Sequence, residues 1–208
     1  SSDLSRFAGV LLIAMISSIG AFAANSDIVI NEIMYSPESG LADDEFIELH
    51  NSGSDCINIS GWSLADGIDF NFPAGTSMGP GSYLVIAKSP ATIEDYYGDM
   101  PNLVGPFEGD LSDEGERIAL LDTGASLVDE VTYGADDPWP GDANGLGSSL
   151  ELINPYANND QASGWDASDP PEMGGSPGEE NSVYAPEIPM PEGWNATDIG
   201  VVQIEGGF

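Results

Sequence analysis

The sequence predicts an all-β protein, an antiparallel β-sandwich preceded by a hydrophobic N-terminal helix. Three observations support this fold class. About nine short runs alternate apolar and polar residues, turn residues separate these runs, and no convincing helical period appears after the N-terminal segment. Short strands at regular spacing, without helices between them, are typical of an antiparallel sandwich.

The first three strands are predicted close together in the chain. Ile28 to Tyr35 and Glu45 to His50 alternate apolar and polar side chains, the period of half-buried strands with one face on a core. Cys56 to Ser60 continues the pattern, and its cysteine is expected to be a small edge or core residue. Gly61 then breaks the strand, and Trp62 adds a large apolar side chain to the core.

The later strands are bounded by glycine, proline or aspartate in the same way. Between two of them, residues 89–106 are predicted to form a long surface loop, with Tyr96 and Tyr97 as packing points. Two others form a hairpin around a glycine-containing loop, TGAS. The predicted strands are Asp69–Phe72, Tyr83–Lys88, Arg117–Asp122, Leu127–Tyr133 and Ser148–Ile153.

The charge of the chain narrows the classes of partner. The 208 residues include 36 acidic and three basic side chains, a formal net charge of −33. Such a surface repels nucleic acid and anionic membranes, so we expect neither as a partner. Self-repulsion favours a saline or cation-rich exterior, or simply a secreted domain that its charge keeps soluble. The single cysteine excludes an intrachain disulfide framework.

The N-terminal segment, residues 1–26, is apolar and has two interpretations. Phe7 to Ala24 forms a continuous hydrophobic run after Arg6. It is either a secretory signal peptide with Ala21-Phe22-Ala23 as the cleavage site, or a retained helix. We expect retention, with cleavage as the alternative; contact with a membrane would come only through residues 7–24, if they are retained. A retained helix would place subunit contacts at Phe7, Val10, Leu11, Leu12, Ile13, Met15 and Ile16.

The C-terminal segment, residues 183–208, changes character. Pro186, Pro189 and Pro191 favour an extended linker. Beyond it, alternating apolar residues predict a short strand that pairs with the sheet edge of a neighbouring subunit or folds back on its own domain. The candidate contact residues in this strand are Val202, Ile204 and Phe208.

The region between these segments resembles a lamin-tail domain. The motifs that carry the resemblance stand in order: IVINEIMY, EFIELHNSG, INISGWSLADG, FPAGTSMGPGSYLVIAK, LSDEGERIALLDTGASLVDEVTY and GSPGEEN. Together they span about residues 27–182. The resemblance implies an immunoglobulin-like β-sandwich of the kind found in nuclear lamins and in secreted prokaryotic proteins. It also implies a binding or structural module without catalytic machinery of its own.

Several polar residues within the matching motifs are expected to be structural. Asn31, Glu32, Glu48 and Asn51 stand near strand ends, where polar side chains commonly satisfy backbone groups. The sequence Pro177-Gly178 is expected to close the domain. These residues are therefore interpreted as parts of the scaffold.

A search for chemistry finds no catalytic, cofactor or metal site that the sequence can assign. His50 is the only histidine and is interpreted as a half-exposed strand residue. No pair of carboxylates is singled out for acid–base catalysis. Calcium is the one cofactor considered, at loops that lack the spaced pattern of a dedicated calcium site. These loops contain Asp43, Asp44 and Glu45; Asp110, Asp113 and Glu114; and Asp136, Asp137 and Asp142.

Two asparagines fit the glycosylation acceptor pattern. They are Asn58, in Asn58-Ile59-Ser60, and Asn195, in Asn195-Ala196-Thr197. Asn58 points away from the core if its isoleucine neighbours point inward. Modification at either site depends on the host.

The leading functional hypothesis is a subunit of an extracellular filament or cell-surface assembly. A hydrophobic helix joined to an all-β head resembles the layout of type IV pilin-like subunits, and both end segments would make homo-oligomeric contacts. The alternative is a monomeric secreted or surface-attached binding module whose signal peptide is cleaved. A hydrolase would need a site that the sequence does not display.

Overall fold

Two β-sheets face each other in the computed structural model of the chain, which describes residues 27–169 and 174–186. The main helix is α1 (Pro90–Tyr97), and three 3-10 turns lie at Ala42–Asp44, Gly141–Ala143 and Ala162–Gly164. The first strands are β1 (Ile28–Met34), β2 (Phe46–Asn51), β3 (Ile57–Asn58), β4 (Ser63–Asp66), β5 (Phe70–Asn71) and β6 (Ser77–Met78). The others are β7 (Tyr83–Ala87), β8 (Leu103–Val104), β9 (Arg117–Leu121), β10 (Leu127–Thr132), β11 (Leu150–Leu152) and β12 (Trp165–Ala167).

The larger sheet has six strands in the order β12-β11-β1-β2-β7-β8. All its neighbours are antiparallel except β7 and β8, which run parallel. The smaller sheet has the order β10-β9-β4-β5, and β3 pairs with β6 in a separate ribbon. The predicted all-β sandwich is therefore confirmed.

The main core lies between the two sheets. The larger sheet contributes Ile30 and Leu49, and the smaller sheet contributes Ile118, Leu120 and Val131, all buried. Burial of such aliphatic side chains stabilises a fold by roughly 1.5–3 kcal/mol for each residue. Trp62 packs against this core and is half-buried, as its position in the sequence suggested.

At a β-bulge in β1, a hydrogen bond connects the two sheets. The register of β1 against β2 shifts between Ile30 and Glu32. At this irregularity the Ile30 N–H donates to Asp129 Oδ2 of β10, at 2.7 Å. The same oxygen accepts a hydrogen bond from the Asn159 side-chain amide, at 2.8 Å. Asp129 therefore satisfies a backbone donor of the larger sheet from the strand that faces it.

The prediction that the first strands are half-buried is wrong. All seven residues of β1 and all six of β2 are buried. The outer face of the larger sheet is covered by α1, whose Ile93 packs with Met34 and Phe46 in a second apolar cluster. A later chain segment, residues 175–183, covers the polar part of this face.

The region predicted as a surface loop contains regular structure. Helix α1 has Pro90 in its first turn, a position where the missing proline N–H costs no hydrogen bond. Strand β8 follows and adds an edge to the larger sheet. Tyr97 packs edge-on against Phe46 with ring centroids 6.2 Å apart, whereas Tyr96 is 71% exposed. Only Tyr97 therefore acts as the expected packing point.

The predicted hairpin is confirmed, but the last predicted strand is followed by another. Strands β9 and β10 pair around the TGAS loop, with Arg117 opposite Thr132 at one end and Leu121 opposite Leu127 at the other. Strand β12 then pairs with β11, with Trp165 opposite Leu152. Cys56 is exposed and precedes β3, so the cysteine does not belong to the core.

The chain enters and leaves the described sandwich at the same end. Ile28 pairs with Asn51 at the start of β1. Strand β11 runs antiparallel to β1, so the residues after Leu152 lie beside that start. There the Asn154 side-chain amide donates to the Pro186 carbonyl oxygen, at 3.2 Å. We call this end, marked by Ile28, Asn51, Asn154 and Pro186, the base of the sandwich.

Several expectations lie outside the described residues. They are the N-terminal helix or signal segment of residues 1–26, the strand near the C-terminus and the glycosylation candidate Asn195. The subunit-contact candidates Phe7, Val10, Leu11, Leu12, Ile13, Met15, Ile16, Val202, Ile204 and Phe208 lie outside them as well. Within residues 27–169 and 174–186, no helix has the length and hydropathy needed to cross a membrane.

Candidate binding site

Three buried glutamates form a row across the larger sheet. Glu32 of β1 stands opposite Glu151 of β11 on one side and Glu48 of β2 on the other. Each is 0% exposed. Side chains opposite each other on neighbouring antiparallel strands lie about 4.5–5.5 Å apart at Cβ, so the three carboxyl groups are close neighbours.

Residues 175–183, which we call the closing segment, cover this row with hydrogen-bond donors. The Ser176 N–H donates to Glu32 Oε1 at 2.9 Å, and the Gly178 N–H donates to Glu48 Oε2 at 2.5 Å. Glu151 accepts hydrogen bonds from the Ser176 and Ser182 hydroxyls and from the Val183 N–H. These contacts confirm that Glu32 and Glu48 satisfy backbone groups and that Pro177-Gly178 helps to close the domain.

Two buried asparagines complete the attachment of the closing segment. Asn181 donates to the carbonyl oxygens of Asn31 and Leu152, both at 2.9 Å. The Asn31 amide donates to Asn181 Oδ1 at 2.7 Å and to Glu48 Oε1 at 2.9 Å. Asn51 has a similar role at the base, because its amide donates to three backbone carbonyl oxygens, including that of Met78 at 3.0 Å.

The carboxyl row has strongly perturbed acidity. Burial raises the pKa of Glu32 well above its usual value, and the negative charges of Glu48 and Glu151 raise it further. Burial also raises the pKa of Glu48, to about 8, although hydrogen bonds from Gly178 and Asn31 oppose the shift. Among the six carboxyl oxygens of the row, Glu32 Oε2 is the one without a hydrogen-bond partner in the described residues. Burial also raises the pKa of Glu151, so all three carboxyl groups favour the protonated form more than exposed glutamates do.

A cleft opens at the base, beside the closing segment. Three tyrosines, Tyr83, Tyr156 and Tyr184, line it together with His50 and Glu180. Its remaining lining residues are Asn31, Gly81, Leu152, Pro155 and Asn181, and its volume is about 220 Å³. We call this cavity the tyrosine cleft.

His50 is buried within the tyrosine cleft, so its interpretation as a half-exposed strand residue is wrong. It is 6% exposed because Tyr83 on the neighbouring strand stacks on the imidazole, with ring centroids 4.4 Å apart and an interplanar angle of 25°. Burial lowers the pKa of His50, which favours the neutral imidazole. Its Nδ1 is buried and has no hydrogen-bond partner in the described part of the chain.

The tyrosine cleft differs from the other tyrosine-lined cavities of the described residues. Cavities of about 370 and 460 Å³ lie on either side of Tyr97. The first is bordered by Gly174 and the second by Gly175, and these glycines follow residues outside the described ranges. The tyrosine cleft, by contrast, is lined by three aromatic rings and the carboxylate of Glu180. This combination makes it the candidate binding site.

The acidic loops proposed for calcium are placed apart from this cleft. Glu45 is buried and accepts a hydrogen bond from the Leu111 N–H at 2.8 Å, and Asp110 pairs with Lys88 at 2.7 Å. Within the described residues, no group of three or more histidine, cysteine, aspartate or glutamate side chains is arranged to hold a metal ion. Calcium binding stays a prediction at all three loops, which contain Asp43, Asp44 and Glu45; Asp110, Asp113 and Glu114; and Asp136, Asp137 and Asp142.

The glycosylation candidate within the sandwich has the expected orientation. Asn58 is exposed on β3, while the next residue, Ile59, is fully buried. Its Oδ1 accepts a hydrogen bond from the Ser60 N–H at 2.9 Å. The acceptor amide therefore faces solvent, and its modification stays a prediction.

Sequence reasoning missed the tyrosine cleft because its members are far apart in the chain. Tyr83 follows the glycine-rich turn GPGS, Tyr156 follows Asn154-Pro155, and Tyr184 lies beyond the GSPGEEN motif. The available signal was a tyrosine close to a turn-rich stretch in each case, directly after it for Tyr83 and Tyr156 and after Ser182-Val183 for Tyr184. That signal gives no indication that the three turns meet.

Comparison with known proteins places this arrangement in a family. The family model described as Lamin Tail Domain matches residues 21–135, more than half of the chain. Among solved structures, a DUF4876 family protein from Bacteroides thetaiotaomicron VPI-5482 is similar, with 14% sequence identity and a TM-score of 0.46. The match covers 83% of this chain and 76% of that protein. No curated protein matches the sequence.

Proposed function

The chain belongs to the lamin tail domain family and folds as an immunoglobulin-like sandwich, so it is a binding or structural module. We propose that it is a subunit of an extracellular filament or cell-surface assembly. The supporting observation is the position of the base. Ile28 and Pro186 lie at the same end of the sandwich. The apolar segment before Ile28 and the candidate strand after Pro186 are therefore both joined to the head at the base.

The charge of the chain supports an exposed head. With a net charge of −33, copies of the sandwich repel each other unless specific contacts or salt offset the repulsion. Contacts through apolar end segments would hold neighbouring heads at a distance that limits this cost. We propose that the head faces an extracellular solution and has no enzymatic activity, in keeping with a family that is not an enzyme family.

Electron microscopy of the full chain tests the proposed assembly. We expect filaments or ordered arrays, and substitution of Ile204→Asp should abolish them by placing a charge at a candidate apolar contact. Gln203→Asp is the matched control, because it adds the same charge at the neighbouring position of the alternating pattern. Monodisperse single particles of the unmodified chain, or equal effects of the two substitutions, would contradict the proposal.

The tyrosine cleft favours a second candidate function, a monomeric secreted or surface-attached binding module. In that case export removes the N-terminal segment. Mass spectrometry of the secreted protein would find a mature start near Ala24, and light scattering would give the mass of one chain.

Calcium, if it binds the acidic loops, would raise the melting temperature more than magnesium does at equal concentration.

A further inference from the structure

The tyrosine cleft combines three aromatic rings with a carboxylate. Tyr156 is 65% exposed, so the face of its ring is open to a ligand. Tyr83 is held in place by its stacking on His50, and Tyr184 is half-buried. Glu180 is exposed at the same cleft. Aromatic faces attract organic cations through their quadrupoles, and a nearby carboxylate adds a favourable Coulomb term.

No basic side chain of the described residues neutralises this cleft. Lys88 is paired with Asp110, and Arg117 is paired with Asp66 and with Glu130. The buried imidazole of His50 adds no positive charge, because burial lowers its pKa. The cleft therefore presents π faces and negative charge within a chain whose net charge is −33. An anionic ligand would be repelled.

The His50 imidazole would make no direct polar contact with a ligand in the cleft. The His50 side chain is only 6% exposed, and its Nδ1 has no hydrogen-bond partner in the described part of the chain. In the neutral tautomer protonated at Nε2, Nδ1 is an acceptor. This atom is closed to solvent even though the cleft is open, so a ligand in the cleft would contact the tyrosine rings and Glu180 and not Nδ1.

We propose that the tyrosine cleft is a binding site for an organic cation, an ammonium or guanidinium group held between the faces of Tyr83, Tyr156 and Tyr184. The volume of about 220 Å³ is smaller than that of pockets that bury a drug-sized ligand. The cleft therefore accommodates one head group or the end of one side chain. The source is a small quaternary ammonium compound or a lysine or arginine side chain of a partner protein.

The single histidine of the sequence makes the binding test direct. The His50 imidazole signals in the NMR spectrum of the full chain need no assignment against other histidines. Choline chloride, N-acetyl-lysine methylamide and N-acetyl-arginine methylamide are titrated separately against sodium chloride of equal ionic strength. Saturable shifts of the His50 signals by at least one cation are expected, and the cation that binds most tightly distinguishes the two sources.

Two neutral probes test the chemistry of recognition. 3,3-Dimethylbutan-1-ol has the shape of choline without its charge and should bind at least about threefold more weakly, because it lacks the cation–π attraction. Methyl glucoside tests a carbohydrate site, since sugars also stack on aromatic rings. Equal binding of choline and its neutral isostere, or binding of the glycoside without any of the cations, would overturn the proposal. The absence of any saturable cation shift would overturn it as well.

A pair of substitutions at Tyr156 identifies the ring face as the binding element. Tyr156→Ala should raise the dissociation constant by about threefold to thirtyfold. Tyr156→Phe keeps the ring and should change it by less than about twofold. The side chain is mostly exposed, and the melting temperature of each variant checks that the fold is kept. If both variants bind like the unmodified chain, the assigned site is wrong. This test is independent of assembly, which electron microscopy reports separately.

Discussion

The protonation of the glutamate row gives the most specific prediction about this protein. We expect Glu32→Gln to change how stability depends on pH. Glu32 Oε1 accepts the Ser176 N–H, whereas Oε2 has no hydrogen-bond partner in the described residues. A glutamine keeps the acceptor at the first position and places a neutral amide where the protonated carboxyl group would stand.

The direction follows from the raised pKa of Glu32. In the unfolded chain this carboxyl group ionises near its ordinary pKa of 4.5, and in the folded chain it ionises at a much higher pH. Between these two values the folded state holds one more proton than the unfolded state. The free energy of unfolding therefore falls as pH rises, and the stabilisation is fully present only below the unfolded pKa. The variant has no proton to lose at this site, so this contribution disappears.

The size of the effect follows from the same linkage. One extra bound proton changes the free energy of unfolding by about 1.4 kcal/mol per pH unit. Between pH 5 and pH 7 the variant should therefore gain up to about 3 kcal/mol relative to the unmodified protein. For a chain of this length that corresponds to a rise of roughly 6–12 °C in relative melting temperature. Glu48 and Glu151 bind protons in the same row, so this value is an upper limit.

Glu48→Gln is the comparison variant. The pKa of Glu48 is also raised, so this variant should lose part of the pH dependence as well, and its loss of stability at pH 5 distinguishes it from Glu32→Gln. Both oxygens of Glu48 accept hydrogen bonds from N–H donors, from Asn31 and from the Gly178 backbone. Either orientation of the new amide places its NH2 group against a donor, which should cost about 1–3 kcal/mol. Because this loss does not depend on protonation of Glu32, it should already be present at pH 5.

Thermal and urea unfolding of the full chain, followed by circular dichroism from pH 5 to pH 8 at constant ionic strength, measure these differences. Glu32→Gln should be close to the unmodified protein at pH 5 and more stable at pH 7. The reasoning fails if the difference between them does not change with pH. It also fails if Glu48→Gln is as stable as Glu32→Gln at pH 5.

Three further predictions concern the closing segment and the charge. Gly175 has φ of +85°, and a Cβ there would collide with the Glu32 carboxyl group. Gly175→Ala should therefore lower the free energy of unfolding in urea by at least about 2 kcal/mol. The loss should exceed that of Gly40→Ala, because Gly40 has φ of +65° and its added Cβ would meet open space. Asn181→Ala leaves two buried carbonyls without their donor and should lower the free energy of unfolding by about 2–4 kcal/mol. Asn71→Ala, at an exposed residue, should change it by less than about 0.5 kcal/mol, and comparable losses would contradict the assigned role of Asn181. Raising sodium chloride from about 0.05 M to about 0.5 M should raise the melting temperature by screening a net charge of −33, and a decrease would refute this view.

The elements that the sequence predicted well are those whose pattern is local. The hairpin of β9 and β10 was predictable because apolar alternation and a glycine-containing turn occur within one stretch of chain. The role of Asn51 was predictable because it stands where a strand ends. The helix α1 was missed because it has eight residues and one fully buried position, Ile93, which gives too little periodicity to detect.

The carboxyl row and the tyrosine cleft were missed for a different reason. Alternation along β1 correctly separates Glu32 from its apolar neighbours, but alternation cannot show what covers the polar face. The cover is the closing segment, and its contact from Ser176 to Glu32 joins residues 144 positions apart. The same long-range closure brings Tyr184 beside Tyr83, on strand β7 of the same sheet. A resemblance to the family indicated that GSPGEEN closes the domain, but it did not indicate that the motif closes over buried carboxyl groups.

The surface charge and the buried glutamate row make the stability of the head depend on pH in the same direction. Self-repulsion of a chain with net charge −33 weakens as exposed carboxylates take up protons. The buried row independently makes the folded state the better proton acceptor between the ordinary glutamate pKa and its raised values. Both effects stabilise the head as pH falls toward about 5, and only the surface effect is removed by salt. Burial also raises the pKa of Glu45 to about 7 and that of Asp129 to about 6, so the comparison at high salt is made between Glu32→Gln and the unmodified protein, which share these groups. A difference between the two proteins that does not change with pH at high salt would show that Glu32 is ionised in the folded protein.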